Sequence, residues 1–107
     1  MGFEEWFRNT FASQIPVVLA EYVVEHPSGM ENGYGPKLWK ADWIQGETEE
    51  RGLAEKGVCM IGACDSIRHI LLRARDGKVF IVDSRDHTTV DAWFSNVNSL
   101  IGLLKLE

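Results

Sequence analysis

Six residues in the second half of the chain have types that could perform chemistry together. They are Cys59, Cys64, His69, His87, Asp83 and Asp86. A cysteine, a histidine and a carboxylate are the parts of a thiol hydrolase, in which the thiolate attacks and the imidazole moves the proton. A nucleophilic thiol needs a helix N-terminus or a nearby cation to lower its pKa, whereas Cys59 lies within the apolar run from Val58 to Ile61. Packed, reduced thiols are therefore favoured over a hydrolase, and no catalytic residue is predicted.

Asp83, Asp86 and His87 are the best candidates for metal ligands, because carboxylates beside an imidazole can hold a divalent cation. Their spacing matches neither a calcium-binding loop nor a common zinc motif. The simpler interpretation is a solvated loop that leads into a helix. We therefore expect no metal, and because the glycines form no phosphate-binding motif, we expect no cofactor.

The four tryptophans divide into two pairs. Trp6 and Trp93 lie on apolar stripes at helical spacing, so both are predicted to pack in the core. Trp39 and Trp43 lie in a glycine-punctuated segment that also carries a run of acidic residues. Large aromatic residues next to charge can anchor a protein interface, and they can equally form a small satellite core. Both interpretations stay open for Trp39 and Trp43.

Length and charge narrow the classes of function. The chain has 107 residues, 45% of them hydrophobic, and its formal net charge is −5, which is typical of a single domain over residues 1–107. The acidic balance argues against a nucleic-acid partner and favours a protein partner with a basic surface. No apolar run approaches the roughly 20 residues that cross a bilayer, and the N-terminus lacks the basic charge of a signal peptide. We therefore expect a cytoplasmic protein that is not bound to a membrane.

Three segments show helical periodicity. The first covers residues 3–11, the second residues 16–26, and the third about 90–104, with Thr88 or Thr89 as its cap. The second helix is predicted to bury Leu19, Tyr22 and Val23. The third is predicted to bury Val90, Trp93, Phe94, Val97, Leu100, Ile101 and Leu104. Residues 30–57 contain many glycines and are predicted to be loop-rich, with the charged stretch 47–51 in solvent.

Residues 67–83 predict a β-hairpin, because Asp76-Gly77 between two apolar runs indicates a two-residue turn. Such a turn sets the register. The predicted pairs are Arg75 with Lys78, Ala74 with Val79, Arg73 with Phe80, Leu72 with Ile81, and Leu71 with Val82. The buried face is predicted to hold Ile70, Leu72, Ala74, Val79 and Ile81. On the outer face, Arg73 is expected to lie on the Phe80 ring.

These elements predict an α+β domain in which helices pack on one face of a small, largely antiparallel sheet. Residues 58–61 are expected to form a strand beside the hairpin. The predicted order is two helices, a loop-rich segment, three strands and a closing helix.

The order of features resembles the SUKH superfamily. The run from Ile15 to Val23, followed by Pro27-Ser28-Gly29, resembles the family's Leu-Pro step and aromatic-bearing helix. The segment 76–83 is similar to the family's Gly-x-Val-aromatic strand, and 90–94 with Leu100 is similar to its closing helix. The chain departs from the family pattern at residues 63–66, where a Gly-Asp step is common, and over residues 30–57.

The resemblance implies an α+β fold and, for bacterial members, a role as an immunity protein that binds and neutralises a polymorphic toxin, often a nuclease or deaminase. Eukaryotic members are regulatory or scaffolding proteins, which is the alternative function. Because partner specificity is expected where a shared scaffold varies, we predict that a basic toxin docks on the acidic middle segment, with the acidic loop after the hairpin as the next candidate. The predicted partner-binding residues are Trp39, Trp43, Glu47, Glu49, Glu50, Asp83 and Asp86.

Overall fold

The computed structural model describes residues 2–31, 36–65 and 67–105. Its helices are α1 (Phe3–Phe11), α2 (Val17–Glu25), α3 (Ala41–Glu50) and α4 (Val97–Lys105), with a 3₁₀ helix at Leu53–Lys56. Its strands are β1 (Met30–Glu31), β2 (Lys37–Leu38), β3 (Val58–Cys64), β4 (Arg68–Arg73), β5 (Val79–Asp83) and β6 (Val90–Phe94). The first two predicted helices and the strand beside the hairpin are therefore confirmed.

All six strands form one antiparallel sheet in the order in which they occur along the chain. Side chains from α1, α2 and α4 pack on one face of it and form the main core. This core includes Trp6, Phe7, Leu19, Tyr22, Ile70, Leu72, Val79, Ile81 and Leu100. The predicted α+β class, with helices against a small antiparallel sheet, is confirmed. The core position of Trp6, which is 6% exposed, is confirmed as well.

The opposite face of the sheet carries a second, smaller core. It consists of Leu53, Met60, Leu71 and Val82. Leu53 belongs to the 3₁₀ helix, so this short element covers the middle of the face that α1, α2 and α4 leave open. Towards β6 the same face carries Phe80, which is half-buried, and Trp93, which is exposed.

The predicted hairpin register is wrong by two residues, whereas the predicted faces are confirmed. Leu72 lies opposite Val79, and Ile70 lies opposite Ile81. The last pair is Arg73 with Lys78, whose carbonyl accepts the Arg73 N–H at 2.8 Å, so the loop has four residues, 74–77. A shift of two residues returns every side chain to its original face, because side chains alternate with a period of two. The five residues predicted for the buried face are indeed buried.

Asp76 stabilises the longer loop. Its carboxylate accepts the Lys78 N–H at 3.1 Å and binds the Arg73 guanidinium, with a shortest distance of 2.6 Å. The Arg73 side-chain hydrogen bond lowers the pKa of Asp76 to about 2. Gly77 has a φ of 76°, whereas the φ of Asp76 is not positive. A type I′ turn needs a positive φ at both central residues, so this loop is not a type I′ turn. Arg73 also lies 5.1 Å from the centre of the Phe80 ring, as predicted.

The predicted third helix is wrong over its first half. Residues Val90–Phe94 form β6, which pairs with β5, and Trp93 is 59% exposed on this edge strand rather than buried in the core. The hydroxyls of Thr88 and Thr89 donate to the Asp86 carboxylate at 2.6 and 2.9 Å, so they close a turn before the strand and cap no helix.

Helix α4 begins only at Val97. Asn96 precedes it and accepts the Ser99 N–H at 3.1 Å, the contact that an N-cap side chain makes. Burial of Val97, Leu100 and Ile101 from the predicted apolar stripe is confirmed, because all three lie in the main core, whereas the Leu104 side chain lies outside the described part of the structure.

The middle segment, residues 30–57, contains more helix in its described part than the glycines indicate. It contains α3, which lies along the part of β3 that β2 does not pair. Ile44 and Thr48 are both fully buried there, and the Thr48 hydroxyl accepts the Met60 N–H at 3.0 Å. This contact satisfies a strand N–H that would otherwise lack a partner. The charged stretch predicted to lie in a solvated loop is therefore the end of a packed helix.

Candidate functional site

The outer side of α3 carries the strongest candidate for an interaction site. Trp43, Glu47 and Glu50 lie at positions i, i+4 and i+7, so they share one stripe of the helix. The Trp43 side chain is 56% exposed. Its ring lies 5.9 Å from the ring of Trp39 at an interplanar angle of 59°, so the two tryptophans pack against each other.

Trp39 is held in place by its backbone. Its N–H donates to the Ile61 carbonyl at 2.8 Å, and its own carbonyl accepts the Tyr22 hydroxyl proton at 2.9 Å. Its side chain is half-buried and packs against both cores. Trp39 is therefore part of the scaffold that supports Trp43, and Trp43 is the ring that a partner can reach.

The three glutamates do not form one acidic patch. Glu47 is paired with Arg51, with 3.5 Å between the carboxylate oxygen and Nε. Glu50 is exposed on the Trp43 side of the helix. Glu49 lies on the other side, where its carboxylate accepts the indole N–H of Trp6 at 2.8 Å. Glu49 therefore joins α3 to α1, and Glu50 is an exposed carboxylate on the same stripe of α3 as Trp43.

Asp83 and Asp86 shape the loop between β5 and β6. The Asp83 carboxylate accepts the Arg85 N–H at 2.7 Å, and the Asp86 carboxylate accepts the Thr88 N–H at 3.0 Å. Hydrogen bonds from Thr88, followed by that from Thr89, lower the pKa of Asp86. Both carboxylates thus build local turns while they stay accessible from solvent.

A histidine pair connects this loop with β4. His69 Nδ1 and His87 Nε2 are 3.0 Å apart, and the rings meet edge-to-face with 5.2 Å between centroids. Burial lowers the pKa of both rings, and the nearby Arg51 guanidinium lowers both further. Glu47 and Asp83 act in the opposite direction on His69.

The hydrogen bond between the rings restricts their protonation. One nitrogen must donate and the other must accept, so the contact survives with at most one of the two rings charged. The residue types of His69 and His87 were evident from the sequence, but the pairing was not. It depends on the bend of the loop from 83 to 89, which no local pattern specifies.

The two thiols lie away from the histidines. Cys59 is fully buried and Cys64 is half-buried, and both belong to the main core, whereas the alternation of β4 places His69 on the opposite face. Burial raises the pKa of both thiols, and for Cys64 the neighbouring Asp65 raises it further. Within residues 2–31, 36–65 and 67–105, no three His, Cys, Asp or Glu side chains form a group that could hold a metal ion.

The outer face of the sheet carries aromatic and basic side chains next to β6, and among them the exposure of Trp93 was not predicted from the sequence. Phe80 and Trp93 are cross-strand partners, and Lys78 Nζ lies 5.1 Å from the centre of the Trp93 ring. The helical spacing of Trp93 predicts a buried position, so the sequence does not predict that the side chain is exposed. The feature of the sequence that favours a strand here is the β-branched and aromatic content of residues 88–94.

Comparisons with known proteins do not test the resemblance to the SUKH superfamily, which therefore stays a prediction. No protein-family model matches the chain, and no curated protein matches its sequence. None of the helices in the described part of the chain is long and apolar enough to cross a membrane. The case for a function therefore depends on the surfaces described above.

Proposed function

We propose that this chain is an immunity protein that acts in the cytoplasm, where it binds a cognate toxin and neutralises it by covering a basic surface. The observation that carries the proposal is the exposure of Trp43, which is 56% exposed although tryptophan is costly to leave in water. Exposed aromatic residues in fixed positions are the usual anchors of protein interfaces.

The surroundings of Trp43 support a role as an anchor. Its ring rests on Trp39, and its helix is fixed to the sheet through Ile44 and Thr48. A side chain that is already ordered loses little conformational entropy when it is covered, so more of the contact energy appears as affinity.

The carboxylates on α3 and the net charge of the chain favour a basic partner, although Lys37 and Lys40 line the pocket beside Trp39 and Trp43. Glu50 lies on the same stripe as Trp43, and the whole chain has a formal net charge of −5. Carboxylates at the rim of an interface mainly increase the rate at which a basic partner associates, whereas a buried anchor mainly determines how slowly it leaves.

Neutralisation by covering needs no reacting group in the immunity protein. The environment of the thiols supports this mechanism over a hydrolase, because burial raises the pKa of Cys59 and Cys64 and disfavours the thiolate. The partner is therefore proposed to be inhibited by contact, in one-to-one proportion, and not by turnover.

The test uses the protein encoded next to this gene as the candidate toxin. Its toxicity is measured in cells with and without this chain, and binding is measured with the purified proteins. Trp43→Ala is expected to weaken binding at least about 30-fold, the equivalent of about 2 kcal/mol for a central tryptophan, and to abolish protection. Trp93→Ala is the matched control, because Trp93 is 59% exposed at a distant edge of the sheet.

Two results would contradict the proposal at different levels. If Trp43→Ala protects and binds as well as the parent while Trp93→Ala does not, the interface is at β6 and the assignment of α3 is wrong. If the neighbouring protein is toxic but this chain neither binds it nor protects against it, the immunity function itself is wrong.

A further inference from the structure

Helix α2 has an unusual composition for a helix on a protein surface. Seven of its nine residues are apolar, and the other two are Glu21 and Glu25. A helix that is apolar all round is normally covered on all sides. The inner side of α2 is covered, because Leu19 and Tyr22 are buried. On its outer side, Val17 is 69% exposed and Val24 is 77% exposed, the highest values for large hydrophobic side chains in the described residues.

These exposed side chains line a groove. Val17, Ala20 and Val24 lie at positions i, i+3 and i+7, which forms a straight apolar stripe along the helix. The stripe borders a groove of about 640 Å³ between α1 and α2. Glu4 and Arg8 of α1 form the other wall. The groove is open to solvent along its length, so a segment of another molecule can lie in it.

The rim of the groove is acidic and uncompensated. Glu4, Glu21 and Glu25 line it, and in the described part of the chain none of the three forms an ion pair within 4.0 Å. Arg8 is the one cation among the lining residues. The groove therefore presents a net negative charge next to exposed apolar surface.

We infer that this groove binds a basic amphipathic helix of a partner protein. An apolar stripe at i, i+3 and i+7 matches the ridges of a second helix, and helices that dock in grooves present anchors at that spacing. The acidic rim requires lysine or arginine beside those anchors. This inference does not depend on the proposed toxin interface, which lies on α3.

A second copy of the chain and a membrane both fit the groove less well. None of α1 to α4 contains more than one lysine or arginine, so no helix of a second copy would supply the basic flanks. Anionic phospholipid headgroups would be repelled by the glutamates on the rim.

The probe is a synthetic peptide of about 16 residues, with leucines along one helical face and lysines on the others. Two matched peptides serve as controls, one with glutamate in place of lysine and one with the leucine stripe scrambled. Binding is measured by fluorescence anisotropy, and the site is located from the methyl NMR shifts of Val17 and Val24. The lysine peptide is expected to bind best and to shift these methyl groups first.

Variants of the chain test the groove directly. Val17→Ser/Val24→Ser is expected to weaken binding of the lysine peptide at least about tenfold, because it removes the apolar anchors. Glu21→Lys/Glu25→Lys is expected to weaken it similarly and to reduce its dependence on salt. The control Ile67→Ser/Val90→Ser changes two side chains that are 49% and 47% exposed outside the groove, and it is expected to bind as the parent does.

Several results would overturn the inference. They are equal binding of all three peptides, shifts that map outside α1 and α2, or parent-like binding by both groove variants. Self-association of the chain that is lost in Val17→Ser/Val24→Ser would assign the groove to a second copy. Binding to phosphatidylserine vesicles that is lost in the same variant would assign it to a membrane.

Discussion

Thr48→Val tests whether one buried hydrogen bond holds α3 and its tryptophan in place. Thr48 is fully buried, and its hydroxyl accepts the Met60 N–H at 3.0 Å from the edge of β3. Valine has nearly the same shape and a similar helix propensity, so the substitution removes the acceptor and changes little else. The Met60 N–H would then be buried without a partner.

The size of the effect follows from two opposing contributions. A buried donor that loses its partner costs about 1–3 kcal/mol. The methyl group that replaces the hydroxyl recovers up to about 0.8 kcal/mol. We therefore expect the free energy of unfolding to fall by about 0.2–2 kcal/mol, which lowers Tm by roughly 1–9 °C in a domain of this size.

Urea denaturation measures the loss of stability, and amide hydrogen exchange at Met60 shows where it arises. Thr48→Ser is the matched control, because it keeps the acceptor and loses a buried methyl group, at a cost of about 1 kcal/mol. In Thr48→Val the Met60 amide should exchange faster than the global loss of stability explains. In Thr48→Ser its exchange should follow global stability.

Parent-like stability in Thr48→Val, together with unchanged exchange at Met60, would refute this reasoning. It would mean that water or a small shift of β3 supplies the missing partner. The docking of α3 would then depend on Ile44 and the other apolar contacts, and the orientation of Trp43 would owe nothing to the hydrogen bond.

Three further predictions concern the sheet and the histidine pair. Gly77→Val should lower stability, because a β-branched residue is strained at the φ of 76° that Gly77 adopts, as a shift of the urea midpoint will show. Gly62→Ala should detach β2 from β3, because an added Cβ would overlap the Lys37 carbonyl oxygen, and faster exchange of the β2 amides will report it. Stability should decrease as the pH falls below about 6.5, because the folded chain lowers the pKa of His69 and His87 while the unfolded chain binds those protons. Urea midpoints from about pH 7.5 to about pH 5 measure this, and the curve should be flatter in His69→Gln/His87→Gln.

The hairpin shows which part of a strand pairing the sequence determines. The alternation of apolar residues from 67 to 82 correctly predicted the buried face. The register depended instead on the loop, where the Asp76 carboxylate binds the Arg73 side chain and the Lys78 N–H. A pattern with a period of two cannot distinguish registers that differ by two residues. Only the side-chain contacts in the loop do so.

Residues 90–94 show how two periodicities can overlap. The apolar stripe of α4 continues backwards along the sequence at helical spacing through Phe94, Trp93 and Val90. The sequence therefore predicts a single long helix that contains both segments. In the structure Val82 pairs with Val90 across an irregularity in β5–β6, which leaves Val90 and Trp93 exposed. Pairing with β5 is a long-range interaction, and it overrides a short local pattern.

The glutamates of the candidate site show that a run of charge in the sequence does not by itself determine an acidic surface. Glu47, Glu49 and Glu50 are a single acidic run in the sequence, yet helix α3 directs Glu49 to the indole of Trp6 and the other two towards Trp43. A run of like charges predicts an acidic surface only when the element that carries it is known, because a helix distributes neighbours around its axis. Because residues 30–57 are predicted to be loop-rich, the sequence alone does not separate the glutamates by the side of the helix on which they lie.

The apolar residues of helix α2 likewise divide between a buried and an exposed side that their residue types do not distinguish. Its sequence correctly predicted burial of Leu19 and Tyr22, whereas Val23 is only partly buried. The sequence does not separate the outward valines from these residues, because any apolar residue in a helix is consistent with a core. The structure separates the two sets, because α1, α4 and the sheet cover only the inner side. Val17 and Val24 then stay exposed beside Glu21 and Glu25, neither of which forms an ion pair within 4.0 Å in the described part of the chain. Apolar surface kept in water next to unpaired charge contributes nothing to the isolated fold, so its most direct explanation is a partner that covers both.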